Sequence, residues 1–408
     1  MLLWLLLFIF LGIVIGILTG LIPGLHPNTV FILVLSFMPI LIQFPIQCAI
    51  VFIASLAITN TFTDFLPSIL FGAPEPGTAL SVLPGHRMLL RGKGYEALFL
   101  TVVGGLLVCG LIVILLPHML WLLPLIYQNI HSYIHIILII IAAWMILTER
   151  GHGRIYALFV FLLAGMFGFI SLNGLPSGQV LFPALSGLFG LSMLTVSLMS
   201  KTHIPAQEIP DNVNCNYFKG ALGSLFSGLL VGILPGVGAA QAGIISSQLF
   251  KNKTGEFLVT LGGINTANIF FTLIVFYSLG KTRSGASWAL SQITETLSYS
   301  DLLLIAFTCL FAASVAAIVT LRTGRFMATR IHRISYHGIS KAIVLFIVLF
   351  VFIFTGPTGM LILFTGLCIG LFSILIGINR THLMGFLILP TILYFSGMNI
   401  YLARFLGV

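Results

Sequence analysis

Charge is what this sequence has least of: only 7% of its 408 residues are Asp, Glu, Lys or Arg, and 9 of them are acidic. Soluble globular chains are roughly one quarter charged, so a water-exposed globular surface is excluded. Cysteine is sparse as well. Cys48, Cys109, Cys215, Cys309 and Cys368 are scattered singly, four of them inside apolar runs, with no CxxC pair. That arrangement offers neither a disulfide framework nor a zinc site. There is no HExxH, no Ser/His pairing with local support, and no second aspartate on the segment that holds Asp64. An intramembrane enzyme therefore lacks its usual parts, and no catalytic residue or cofactor is expected. No basic residue precedes the apolar stretch that begins at Leu2, so it reads as a retained first helix and not as a cleaved signal peptide.

What is present is hydrocarbon. Hydrophobic residues make up 59% of the chain, and a bilayer core of about 30 Å needs roughly 20 helical residues to cross it. Apolar stretches suited to that task lie near 2–22, 47–71, 97–117, 134–148, 155–172, 180–200, 219–235, 256–279, 301–321, 341–356, 358–378 and 382–401. Shorter runs follow at 28–42 and 238–250. The fold class predicted is an all-α polytopic membrane protein. A net charge of +9 can indicate nucleic acid, but the basic residues fall in short gaps between apolar runs and not on one amphipathic face. They read as topology signals, with the lipid bilayer as partner and no nucleic acid.

Two copies of one broken-helix signature stand out. Residues 16–29 read GILTGLIPGLHPNT and residues 228–241 read GLLVGILPGVGAAQ. Further matches follow at an offset of about 205: Asn60-Thr61 with Asn265-Thr266, and Gly77-Thr78-Ala79 with Ser284-Gly285-Ala286. The chain is therefore an internal duplication, with a first transmembrane repeat over 1–200, a polar cytoplasmic linker over 201–218 and a second repeat over 219–408. Equivalent connections alternate in charge. Residues 118–133 carry no Lys or Arg, whereas their counterpart 322–341 carries five; 149–154 is basic, whereas 356–360 is neutral. The positive-inside rule then makes the repeats inverted, each with a broken or re-entrant helical hairpin. It also puts 15 of the 18 basic residues in the cytoplasm, leaving Lys281, Arg283 and Arg404 outside together with both termini.

Candidate site residues follow from the breaks. A helix stopped in hydrocarbon leaves N–H and C=O groups that cost several kcal/mol each unless something partners them. Pro27 sits where a helix would begin. The free N–H groups of Asn28, Thr29 and Val30 then face the break with the positive end of the helix dipole behind them, an anion site built without a cation. Gly24 and His26 lie in that first break, and Gly236 and Gly238 allow a comparably close backbone approach in the second. A second group pairs Thr59, Asn60 and Thr61 with Asn265, Thr266 and Asn268, polar residues that either hydrogen-bond across helices or coordinate ions and substrate. A third pairs Gly77 and Thr78 with Ser284 and Gly285. Asp64 and Glu75 are the candidates for binding a coupling proton or Na+, since a carboxylate within an apolar segment is expensive and usually functional or paired. No apolar stretch has a Lys or Arg well away from its ends. An anionic cargo must therefore be held by backbone N–H groups, hydroxyls and amides.

Together, GLIPGLHP and GILPGVGA at the breaks, PGTALSVLPGHRMLLRGKGYEAL at 76–98 and LFPALSGLFGLSML at 181–194 resemble the large membrane subunit of tripartite tricarboxylate transporters. The resemblance runs over nearly the whole chain. It implies a secondary importer of di- or tricarboxylates that works with a soluble extracytoplasmic solute-binding protein and a small membrane subunit. The chain departs from the family pattern in being shorter, like archaeal members of unknown substrate. It also carries His26 at a commonly small position and Lys281-Thr282-Arg283 in place of a neutral tip. The function expected is alternating-access transport of small organic anions around the two Pro-Gly hairpins. The alternative is a translocase for an anionic lipid such as a polyprenyl phosphate, whose headgroup suits the same backbone sites.

Overall fold

The computed structural model describes residues 1–22, 30–31, 34, 43–71, 82–175, 177–199, 204–234, 238–333 and 336–407. Among these, every regular element is helical. The N-terminal half contributes α1 (Leu2–Leu21), α2 (Ile46–Thr63), α3 (Phe65–Leu70), α4 (Val82–Leu89), α5 (Gly94–Ile130), α6 (Ile134–Leu147), α7 (Gly153–Gly174) and α8 (Ser177–Leu185). A π-helical stretch, Ser186–Leu191, carries α8 into α9 (Ser192–Met199). The C-terminal half contributes α10 (Tyr217–Ile233), α11 (Ala239–Phe250), α12 (Thr254–Leu279), α13 (Gly285–Ser291), α14 (Tyr299–Ala328), α15 (Tyr336–Leu375), α16 (Gly385–Phe395) and α17 (Asn399–Leu406). Among the described residues seven helical spans, with α2 and α3 counted together as one, are long and apolar enough to cross a bilayer, so the chain is a multi-pass membrane protein.

Two features differ from the sequence reading. The stretch expected to end at 117 continues as one 37-residue helix through Pro117 and Pro124 to Ile130, about 56 Å at 1.5 Å per residue. Proline is tolerated there because neighbouring helices and local adjustments can satisfy the freed carbonyls. The stretch expected at 382–401 is instead a short 3-10 turn followed by α16 and α17, bent by 114°, with Gly397 at φ +75° at the bend. Within α15, Gly356 at φ +63° separates two helices, as the Gly-Pro pair at 356–357 predicts.

Two spans form the interior. The apolar window within 46–70 is 89% buried and that within α12 is 94% buried, against 33% for α1 and 22% for α15. Around them the halves interlock reciprocally. Helix α1 lies on α2 and α10 lies on α12; α5 of the first half packs on α12 of the second, and α14 of the second packs on α2 of the first. Lipid gives helices no hydrophobic reason to associate, so small residues supply close approach. Gly12, Gly16 and Gly20 recur every four residues along α1, and a Cβ at Gly16 would stand 2.8 Å from the Leu56 carbonyl of α2. Likewise Gly104 rests on the Val259 carbonyl and Gly262 on the Thr101 carbonyl.

The two breaks have matching entrances. Helix α1 ends before Pro23 with Ile22 at φ −90°, ψ 107°, and α10 ends before Pro235 with Leu234 at φ −91°, ψ 109°. Both are the extended conformation that a following proline enforces. Beyond the second break, Ser227 Oγ donates to the Ala242 carbonyl (3.0 Å) and Ser246 Oγ to the Gly223 carbonyl (3.1 Å). Residue numbers rise on one helix as they fall on the other, so α10 and α11 are antiparallel arms of a hairpin. The linker is docked against the first half: Gln207 accepts from the Gly94 N–H (2.8 Å) and donates to the Leu89 carbonyl (3.0 Å), and the Glu208 N–H reaches the Gly92 carbonyl (2.7 Å).

Candidate functional site

Asp64 sits where α2 is interrupted. Pro67 has no N–H to give and its ring crowds the carbonyl four residues back, at Thr63; α2 accordingly stops at Thr63 and α3 starts at Phe65. The Asp64 carboxylate is thereby held in the interior, 4% exposed, and its Oδ2 accepts from Asn265 Nδ2 at 3.1 Å. Asn265 comes from α12, the matching inner helix of the other half. Two residues singled out separately in the sequence, 201 positions apart, thus meet in one buried hydrogen bond.

One turn before Asp64, the fully buried Asn60 donates from Nδ2 to Thr19 Oγ1 at 3.2 Å, tying α2 to α1. Three oxygens of this stretch are buried without a hydrogen-bond partner among the described residues: Thr59 Oγ1, Asn60 Oδ1 and Asp64 Oδ1. Buried acceptors are normally satisfied, and among the described residues no basic side chain forms an ion pair with Asp64. The arrangement is chemically suited to a proton or a small cation. Among the described residues no group of three or more His, Cys, Asp or Glu gathers in a way that would hold a metal ion.

The other candidates separate by what they touch. Thr61 and Thr266 bond within their own helices, to the carbonyls of Ile58 (2.8 Å) and Gly262 (3.4 Å). Asn268, nearly one turn beyond Asn265, is half-buried. Ser284 caps α13 by accepting from the Ser287 N–H (3.2 Å) and meets Thr272 of α12 at 2.9 Å between hydroxyls. Gly285, Ala286 and Ser287 are buried and α13 packs on α2, so this tip folds inward to the central pair. Gly238 is half-buried at the start of α11. Gly24, His26, Asn28, Thr29, Glu75, Gly77, Thr78 and Gly236 lie outside the described residues.

Two features went unread in the sequence. The interruption at Asp64 had a signal in Pro67, four positions after Thr63. The tip residues Lys281 and Arg283 converge on Tyr127 of the long α5: Lys281 Nζ donates to the Tyr127 hydroxyl (2.9 Å) and lies 4.7 Å from the ring centre, with Arg283 at 5.5 Å. No local pattern marks that contact.

Comparison with known proteins agrees with the resemblance drawn from the motifs. The model of the tripartite tricarboxylate transporter TctA family matches residues 6–385. An uncharacterized protein of Methanocaldococcus jannaschii is 30% identical over 381 residues, covering 91% of this chain and 94% of the relative. No solved structure matches the chain. The chain belongs to the tripartite tricarboxylate transporter TctA family.

Proposed function

We propose that the protein is a secondary active permease for small organic anions, di- or tricarboxylates, working by alternating access between two inverted repeats. Membership of a tripartite transport family implies a solute-binding protein and a small membrane subunit as partners and does not suggest an enzyme. The observation that carries the reading is the buried bond between Asp64 and Asn265, which joins the inner helices of the two halves at a carboxylate whose second oxygen has no partner among the described residues. In this reading the coupling ion, Na+ or H+, binds at Asp64 together with the free oxygens of Thr59 and Asn60. The anion is gripped by the backbone of the two Pro-Gly breaks and by Asn265, Asn268 and the Ser284-Gly285 tip. Cation binding at Asp64 weakens its hold on the Asn265 amide and so loosens one half from the other, linking ion occupancy to the change of access. The basic loops face the cytoplasm and both termini face outward.

Counterflow of labelled citrate or succinate in proteoliposomes, with and without a Na+ or proton gradient, tests the proposal. Gradient-stimulated uptake is the expected result. Indifference to every carboxylate, accompanied by flipping of a fluorescent polyprenyl phosphate, overturns it in favour of lipid translocation.

A further inference from the structure

Helix α12 leads from Asn265 back to a second polar region. Thr254, at its first turn, lies eleven residues away, about 16 Å along the axis, and lines a cavity of about 630 Å³. That volume falls within the range of small-molecule sites. Arg87 from α4 and Arg380 from the 3-10 turn before α16 line it, together with Glu149, Ser247, Asn252 and Thr254. The two guanidiniums come from opposite halves of the chain and line the same cavity; burial first, and then the charge of Arg87, hold Arg380 below its ordinary value. Among the described residues neither has a carboxylate within ion-pair distance. The one acid in the lining, Glu149, gives its Oε1 to His382 Nε2 at 3.1 Å.

Two guanidiniums share this cavity with a single carboxylate that is already bonded to His382, so the lining is short of negative charge and an anion would complete it. The rigid forked geometry of arginine suits a carboxylate or phosphate bidentately. The residues that line the cavity, at 84–87, 149, 247–257 and 374–380, include or adjoin the basic loops that the positive-inside rule puts in the cytoplasm.

We infer that this cavity is a binding site for a small multivalent anion, with Arg87 and Arg380 as paired ligands supplied by the two halves, and that it serves as the cytoplasmic station of the cargo. The identity of the anion as a carboxylate rests on the function proposed above. The site itself does not, because any small dianion answers the same chemistry. A ligand bridging Arg87 and Arg380 also bridges the halves, so occupancy favours one of their relative positions.

The test uses the full-length chain in nanodiscs, with citrate, succinate and inorganic phosphate as separate probes titrated by calorimetry. Wild type is compared with R87Q, R380Q and the double variant, and with R87K and R380K, which keep charge but lose the fork. The double Gln variant is expected to weaken dianion binding by at least about tenfold and the Lys variants by less, with unliganded thermal midpoints close to wild type. In sided proteoliposomes the half-saturating citrate concentration should rise only on the face of the basic loops. Binding of all three probes unchanged within twofold in the double variant overturns the inference, as does an equal rise on both faces. Wild-type binding of phosphate through Arg87 and Arg380 without any carboxylate uptake leaves the site standing and removes the proposed cargo. Carboxylate uptake that is indifferent to both arginines leaves the cargo standing and removes the site.

Discussion

Removing the amide at position 265 should tighten the grip of Asp64 on its ion. The Asn265 Nδ2 to Asp64 Oδ2 bond closes at 3.1 Å between groups 7% and 4% exposed. A hydrogen bond to a charged group in such a place is worth roughly 1.5–3 kcal/mol. That stabilisation belongs to the ion-free carboxylate, because a proton or cation on the same oxygens competes with the amide. In Asn265→Ala the ion-free state loses it. At 1.36 kcal/mol per factor of ten, the half-saturating concentration of the coupling ion should fall roughly 10- to 150-fold, and maximal uptake should fall with it as release becomes slow. Asp64→Asn removes the charge itself: gradient-driven uptake should vanish while counterflow, which needs no net ion movement, persists. Thr61→Val is the control, because its hydroxyl bonds only the Ile58 carbonyl of its own helix at 2.8 Å, and it should stay within twofold of wild type. The assay is uptake of labelled citrate into proteoliposomes while Na+ and pH are titrated separately. An unchanged or higher half-saturating ion concentration in Asn265→Ala would refute the reasoning, as would full gradient drive in Asp64→Asn.

Three further outcomes are expected. Burial holds His86 of α4 below the ordinary imidazole value of 6.5, against the opposing pull of the Ile69 backbone; its neutral form fits the fold, so stability is complete above about pH 6.5 and declines as pH falls through the lower folded value. Thermal midpoints measured from pH 8 to 5 should drop, and His86→Gln should drop less; parallel curves would contradict this. Burial, aided by Glu256 and Glu96, pushes the Cys215 thiol above its ordinary 9.0, while Cys48, Cys109 and Cys309 are buried and Cys368 lies on the apolar α15. A membrane-impermeant maleimide should therefore label Cys215 alone, only from the face of the basic loops and faster as pH rises past 9; labelling from the opposite face would invert the proposed topology. Gly16→Val places a Cβ 2.8 Å from both the Leu56 carbonyl and Thr59 Cβ and should destabilise by about 1–3 kcal/mol through overpacking. Gly110→Ala meets nothing within 4 Å and should be neutral, so equal midpoint losses in the two variants would remove the small-residue account of α1 packing.

Much of the fold was legible because it follows from local rules. Apolar length predicted the spans, and Pro23 and Pro235 predicted the chain breaks because a residue before proline is driven out of the helical region wherever it sits. Ile22 and Leu234 share that backbone conformation to within a few degrees. The end of α5 was not legible: Pro117 and Pro124 are stop signals in water, and only the surroundings decide that they are tolerated here. The amides at 60 and 265 were recognisable as candidates because polar groups in an apolar run need partners. Which partner each one takes depends on how the halves dock. Asn60 finds Thr19 within its own half and Asn265 finds Asp64 in the other, a choice that no spacing encodes. Arg87 and Arg380 were counted as topology signals, and that bland role concealed that they share one cavity.

In the function proposed above, the same docking leaves the two halves with unequal ion sites. The offset of 205 that aligns Asn60 with Asn265 puts Ile269 opposite Asp64. The repeated frame thus supplies two amides and a single carboxylate. One half carries the charge, at Asp64, and the other carries the amide donor, at Asn265. In the proposed function that contact has two states, bonded when the carboxylate is bare and released when a cation or proton covers it. That is the minimum a duplicated scaffold requires for one ion to bias the relative position of its halves.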